Sequence, residues 1–217
     1  MTSAGTRRTR SPELTTQDLH ELIIQSAARC FRRKGVQRTR MEDIAEDVGM
    51  QRPHLYRHFP SKKSLIVAVI VRESRAIHRR RAEALTLLGP VGTVIVDALV
   101  LGFELCISDE FVGFNMAPDA IGLTAEVVAS ETAIVEADGE YWNRVLDHGR
   151  ERGEIRAALT NNQIIRWFLL MQFTFLQRQE FFADPEVVRR HIRDFVVPAV
   201  ITYEMTDSPA SREHNDD

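Results

Sequence analysis

Apolar residues recur at three- and four-residue steps along almost the whole 217-residue chain, and strand-like alternation is scarce. The spacing predicts a first helix over 16–34, with Leu19, Ile23, Ala27, Cys30 and Phe31 on one face. Gly35 should end it as a left-handed cap, after the basic run Arg32-Arg33-Lys34 that suits a helix C-terminus. Thr39 and Glu42 have capping-box spacing and open a short helix carrying Ile44, Ala45 and Val48, which stops at Gly49. A third short helix must start near Arg52, because Pro53 is tolerated only in a first turn, and it must finish before Pro60. Ser61 caps a fourth, predicted to run through Arg72–Arg81 to about Leu88.

Past Gly89-Pro90 the pattern predicts helices over about 91–108, 119–129 and 131–152. "NQIIRWFLLMQFTFLQRQEFF" is apolar nearly all round and should be covered on most sides. A last helix opens at Asp184-Pro185 with the stripe Val188, Ile192, Phe195, Val196, Ala199 and Tyr203; Pro198 should kink it or end it early. The fold class is therefore all-α. The expected organisation is a flexible arm at 1–15, a small helical domain at 16–62, a larger helical domain at 63–204 and a disordered tail at 205–217.

Charge sharpens that division. Residues 1–83 hold 18 Lys and Arg against 9 Asp and Glu, and residues 84–217 hold 10 against 22. A basic front and an acidic back point to a front that meets a polyanion. Two separate cysteines, Cys30 and Cys106, each in an apolar helical pattern, fit buried thiols in a reducing cytoplasm. The N-terminus lacks the apolar core of a signal peptide, and no uncharged apolar run reaches membrane-spanning length.

The front's chemistry is concentrated in "MQRPHLYRHFPSKKSL", Met50 to Leu65. It places Arg52, Arg57, Lys62 and Lys63 beside His54, Tyr56 and His58, without one acid. Two short helices joined at Gly49 form a candidate helix-turn-helix, with small Ala45 where the helices cross and Leu55 turned into the core. The second helix would present Gln51, Arg52, His54, Arg57 and His58, its N-terminal residues alone reaching base edges. The helix N-termini near Arg40 and Ser61 offer N–H groups to anions.

Residues from about Leu22 to Leu65 resemble the TetR family of transcriptional regulators. The resemblance rests on Ala27 and Phe31, Gly35, Thr39, "EDIAEDVGM" and above all "LYRHFPSKKSL". It implies that Thr39, Tyr56, His58 and Lys62 contact phosphates, and that Arg40, Gln51, Arg52 and His54 are available for base contacts. Many members carry Ser-x-Gly-Thr before Leu-Tyr; here Gln51-Arg52-Pro53-His54 stands there, so base readout should differ. Arg52 has the geometry to read guanine and equally to hold a phosphate. The resemblance further implies a helical effector domain whose last two helices pair with a second subunit. Trp167, Phe175, Ile192, Phe195 and Ala199 are the expected dimer residues.

The function so implied is a ligand-responsive regulator, a homodimeric repressor released from a palindromic operator by a small molecule. The alternative is a ligand-binding or protein-interaction module of the same fold without specific DNA binding. Phe103, Trp142, Trp167 and Met171 are the expected ligand residues. Few basic residues are expected among them, which favours a neutral or cationic lipophilic effector. "RESRAIHRRRAE" reads as a solvated face of the fourth helix with Ala76 and Ile77 inward, or as a second nucleic-acid patch. "TRRTR" reads as a DNA-contacting arm or an inert end. His54 and His58 have metal-pair spacing, but no carboxylate or cysteine nearby completes a site. No hydrolase, P-loop or dinucleotide motif is present, so neither an enzyme nor a cofactor is expected.

Overall fold

The computed structural model describes residues 15–108, 132–178, 180–182 and 184–202. The described residues are helical apart from turns and one isolated pair of bridged residues. The chain divides into two compact units between Val69 and Ile70, inside a helix that contributes to both. We refer to them as the head and the body.

In the head, α1 spans Thr16–Lys34, α2 Met41–Val48 and α3 Arg52–His58; α4, Lys62–Ala84, begins there. Thr15 caps α1 through a reciprocal pair. Its hydroxyl accepts the Asp18 N–H at 3.1 Å, and the Asp18 carboxylate accepts the Thr15 N–H at 3.0 Å. Gly35 ends α1 with φ 81° but ψ 154°, so the chain leaves extended rather than in the left-handed helical turn expected. Gly49 does adopt that turn, at φ 79° and ψ 32°. Ile23, Phe31, Ile44, Leu55 and Leu65 are fully buried, each contributing about 1.5–3 kcal/mol by transfer from water.

One correction concerns the start of α2. Thr39 does not cap it: Arg40 occupies that place, and its N–H donates to the Asp43 carboxylate at 2.8 Å. Asp43 also accepts from Lys34 Nζ at 2.6 Å. Asp47, one turn on, accepts from Ser26 Oγ at 2.6 Å and Arg29 Nη2 at 2.7 Å. These bonds hold both carboxyls below their ordinary range, and they fasten α2 to α1.

In the body, α4 continues to Ala84, short of the Leu88 expected. Among the described residues four further helices follow: α5 Val91–Ser108, α6 Thr132–Glu151, α7 Asn161–Gln177 and α8 Pro185–His191. The helix expected over 119–129 and Tyr203 lie outside the described residues, as do the tail and residues 1–14 of the arm. α5 is long and apolar enough to cross a membrane, and most of its apolar side chains pack into the core of the body. Around it gather Trp142 of α6, Phe168 of α7 and Val188 of α8; the Trp142 and Phe168 rings lie 4.7 Å apart.

The terminal helix changes pitch as its proline requires. After His191 the backbone widens into a π turn over Ile192–Val196, then tightens into a 3₁₀ turn over Val197–Ala199. Pro198 supplies no N–H and its ring displaces the carbonyl four residues back. An antiparallel bridge between Ile155 and Ile201 fixes the end, with Thr202 N donating to Glu154 O at 2.9 Å.

Candidate functional site

The head gathers its polar chemistry on α3 and the turns beside it. Gln51, Arg52 and Arg57 are exposed, as is Arg40 at the start of α2; His54, Tyr56 and His58 are half-buried. Leu55, fully buried, fixes the helix so that its neighbours face outward. Arg52 is not idle. Its guanidinium pairs with Glu42 at 2.7 Å, reaches the Tyr56 hydroxyl at 3.4 Å and lies 5.3 Å from the centre of the Tyr56 ring. The Tyr56 bond first, and the Glu42 charge second, raise its already high pKa.

His20, which the sequence leaves unremarked, orients the second histidine of α3. Its Nε2 lies 3.1 Å from His58 Nδ1, and the His54 ring, tilted at 50°, has its centre 5.1 Å from that of His58. Burial, then repulsion from His20, His54 and Arg57, lowers the His58 pKa. These influences favour the uncharged imidazole, a hydrogen-bonding group, over the cation. With Nδ1 turned to His20, Nε2 is the nitrogen left for a ligand. Among the described residues no cluster has the composition to hold a metal ion.

Two residues expected to touch phosphate bond to the turn before α2. Thr39 is fully buried, and its hydroxyl donates to Gly35 O at 2.7 Å and lies 3.2 Å from Cys30 O. The hydroxyl closes the α1–α2 turn. Lys62 Nζ donates to the carbonyls of Val36, Gln37 and Thr39 at 3.1, 3.1 and 3.2 Å. All three ammonium protons are committed to that turn. Thr39 thus lies beneath the surface, while half-buried Lys62 ties the turn and still borders solvent.

In the body the four expected ligand residues fall together in the core. Phe103 and Trp142 are 1% exposed, and Trp167 and Met171 pack half-buried against the same cluster. A cleft of about 880 Å³ opens elsewhere, between Pro90–Asp97, Glu154 and the terminal segment at Arg189, Arg193, Val197 and Ile201. None of the four lines it.

The expected dimer residues divide. Phe175 and Ile192, 6% and 1% exposed, belong to the core of the single chain, because α7 and the π turn face α5 there. Phe195 is 70% exposed and Leu170, not foreseen, 53%. Ala199 and Trp167 are half-buried.

The reading of "RESRAIHRRRAE" as a solvated face is corrected at two positions. Arg75, Arg79 and Arg80 are exposed, but His78 and Arg81 are buried, Arg81 to 1%. Arg81 Nη1 donates to His78 Nδ1 at 3.1 Å, and Nη2 donates to Gln172 Oε1 at 3.2 Å. His78 Nε2 in turn meets Asp138 Oδ1 at 3.0 Å, and Ser74 Oγ donates to the same carboxylate oxygen at 2.9 Å. The guanidinium carbon stands 5.5 Å from the Trp142 ring and 5.9 Å from that of Tyr141. Arg81 is thus a buried cation beside one of the aromatic ligand candidates, where few basic residues are expected.

Comparison with known proteins places this geometry. Residues 23–69 match the family model for bacterial regulatory proteins of the tetR family. Over 78 residues the chain is 36% identical to the probable HTH-type transcriptional regulator ArpR of Pseudomonas putida, covering 35% of this chain and 37% of that one. Over 54 residues it is 41% identical to the HTH-type transcriptional regulator TtgR, also of Pseudomonas putida, covering 25% and 26%. The matches thus span about a third or less of these relatives' length. Among solved structures, RolR in complex with resorcinol superposes with a TM-score of 0.66 at 18% identity, covering 85% of this chain and 88% of that one. The TetR family repressor AlkX from a Dietzia species gives 0.61 at 15% identity, covering 90% and 97%. At such identities the likeness is one of fold, and it extends through the body.

Proposed function

We propose that this chain, whose head belongs to the TetR family of bacterial regulators, is a DNA-binding transcriptional regulator. It acts as a homodimeric repressor that leaves a palindromic operator when a small molecule fills its body. The carrying observation is the outward tip of α3. Gln51, Arg52, His54, Tyr56, Arg57 and His58 stand together there without an acidic side chain on the helix, on a turn held from beneath by Lys62 and Thr39. Arg52 and Gln51 read base edges, Arg40 remains available for a base, and Tyr56 and His58 hold phosphates. Relatives over this segment are named transcriptional regulators. The small phenol bound by RolR, a protein of like fold, supports a small aromatic effector.

Two-fold symmetry presents the tip twice, to half-sites about one helical turn apart. Exposed Phe195 and Leu170 supply the apolar contact between subunits. Phe195→Glu should convert dimer to monomer in sedimentation velocity; an intact dimer would move the interface off this turn. An effector can release the operator only through its preference for the non-binding conformation, and a shift from 1:99 to 99:1 needs about 5.5 kcal/mol. The lever is α4, which carries Leu65 and Val69 of the head and His78 and Arg81 of the body.

Selection of bound duplexes from a random pool tests the reading, and should return an inverted repeat. Arg52→Ala should relax preference at one base in each half-site, at about 1–3 kcal/mol for that base pair. No enriched sequence would favour a module of this fold without operator recognition. A uniform loss over all sequences would assign Arg52 to the phosphates instead.

A further inference from the structure

We infer that the effector of this body is a small organic acid, a carboxylate on an apolar frame, and that Arg81 of α4 is the residue that recognises it. This deepens the proposed function and rests on its premise that the body holds a ligand.

The guanidinium sits in a place built for it. Gly102 of α5 lies so close that a Cβ there would stand 1.4 Å from Arg81 Nη2 and 2.2 Å from its central carbon. The glycine thus leaves room for the cation against the helix backbone, and the Trp142 and Tyr141 rings flank it. Burial lowers the pKa of Arg81, which states that the charge is costly where it stands. Yet among the described residues no carboxylate pairs with it directly. The nearest that its hydrogen bonds lead to, Asp138, is separated from it by the whole imidazole of His78. His78 accepts from Arg81 on Nδ1, so in its neutral form it carries its proton on Nε2 and passes that hydrogen bond to Asp138.

Two buried polar atoms in this group have no partner among the described residues: Arg81 Nε and the Tyr141 hydroxyl. Buried donors are rarely left without an acceptor, because each then loses its bond to water with nothing in return. One N–H beside an undercompensated cation and one phenolic O–H on the adjacent ring are what a carboxylate would accept from. Tyr141, though not Arg81 itself, borders a cleft of about 40 Å³ with Ala82, Leu85, Leu87, Arg144 and Val145. Arg144, exposed, puts a second cation at its mouth. The cleft has room for little more than a water. An acid that passes from it to Arg81 would widen it between Ala82 of α4 and Tyr141 of α6, and α4 is the helix that reaches the head. The acid's charge thereby does mechanical work on the element that carries Arg81.

The test is calorimetric titration of the full-length protein, without DNA, with benzoate, 3-phenylpropionate and octanoate, each beside its primary amide. At least one acid should bind, with its amide about tenfold weaker or more, the equivalent of one charge-assisted hydrogen bond. Arg81→Met should abolish the preference for acid over amide. Asp138→Asn, which removes the internal anion, should tighten the acid severalfold, an effect that a purely structural Arg81 would not produce. Should Arg81→Met fail to fold, the Asp138→Asn result decides alone. Failure of every acid to bind at millimolar concentration, equal binding of amide and acid, or an Asp138→Asn variant no tighter than its parent would overturn the proposal. Operator selection on the same preparation stands apart from all three, so failure here leaves the DNA reading intact.

Discussion

Replacing Gly102 with alanine should destabilise the body by about 3 kcal/mol, although alanine is the better helix former. The new methyl group would occupy the space of the Arg81 guanidinium, with its central carbon 2.2 Å and Nε 2.5 Å away. The side chain is long and can move, but every move surrenders the bonds to His78 and Gln172 and the two ring contacts, or drives a cation through the core. Hydrogen bonds to a charged group contribute about 1.5–3 kcal/mol each, and α5 recovers less than 1 kcal/mol in propensity. Trp142 and Trp167 are the chain's two tryptophans and both lie in the body, so their fluorescence during urea unfolding reports this unit alone. Adding Arg81→Met to Gly102→Ala should restore part of the loss, because the clash and the stranded charge vanish together. An unchanged midpoint for the single variant would mean that the guanidinium is not held where we place it.

The second large effect is expected at Lys62. The resemblance assigns its ammonium to phosphate, and removal of one phosphate contact lowers the salt dependence of binding by about one unit. The structure directs that ammonium to three carbonyls of the turn before α2. Lys62→Met should therefore cost the head about 2 kcal/mol, with water recovering some of the loss at Gln37. DNA affinity should fall through a loosened turn, with a slope change well under one unit. The two accounts separate in one experiment: binding isotherms at a series of salt concentrations, beside thermal unfolding of the free protein. Unaltered melting with a slope reduced by a full unit would return Lys62 to the phosphates.

Much of this fold was legible because its punctuation is local. Pro53, Gly49, Gly153 and the Asp184-Pro185 pair each act through their own backbone, and the helices begin or end where those residues require. Thr39 shows the limit. Its spacing to Glu42 suits a capping box, but the carbonyls of Cys30 and Gly35 compete for the same hydroxyl, and a pattern along the chain does not register partners folded back upon it. Arg81 shows it more sharply. In "IHRRRAE" three consecutive arginines look alike, and only the third faces the core, three residues beyond His78 on the same side of the helix. Gly102, a glycine in mid-helix where alanine would ordinarily be preferred, was the one signal in the sequence that something bulky lies against α5. The expected dimer residues divide for a related reason: periodicity finds the apolar stripe of α7 and the last helix, but not which part of it the chain's own core consumes.

If Arg52 reads a base as proposed, its ion pair with Glu42 bears on how sequences are told apart. In the unbound head the guanidinium already has an acceptor, so docking trades one partner for another. A base that offers a well-placed pair of acceptors can win that exchange; one that does not leaves the arginine at home on its carboxylate, and the contact is forgone rather than strained. Discrimination then resembles a contest with a resident rival, in which mismatched sites are declined early and the protein stays free to keep searching.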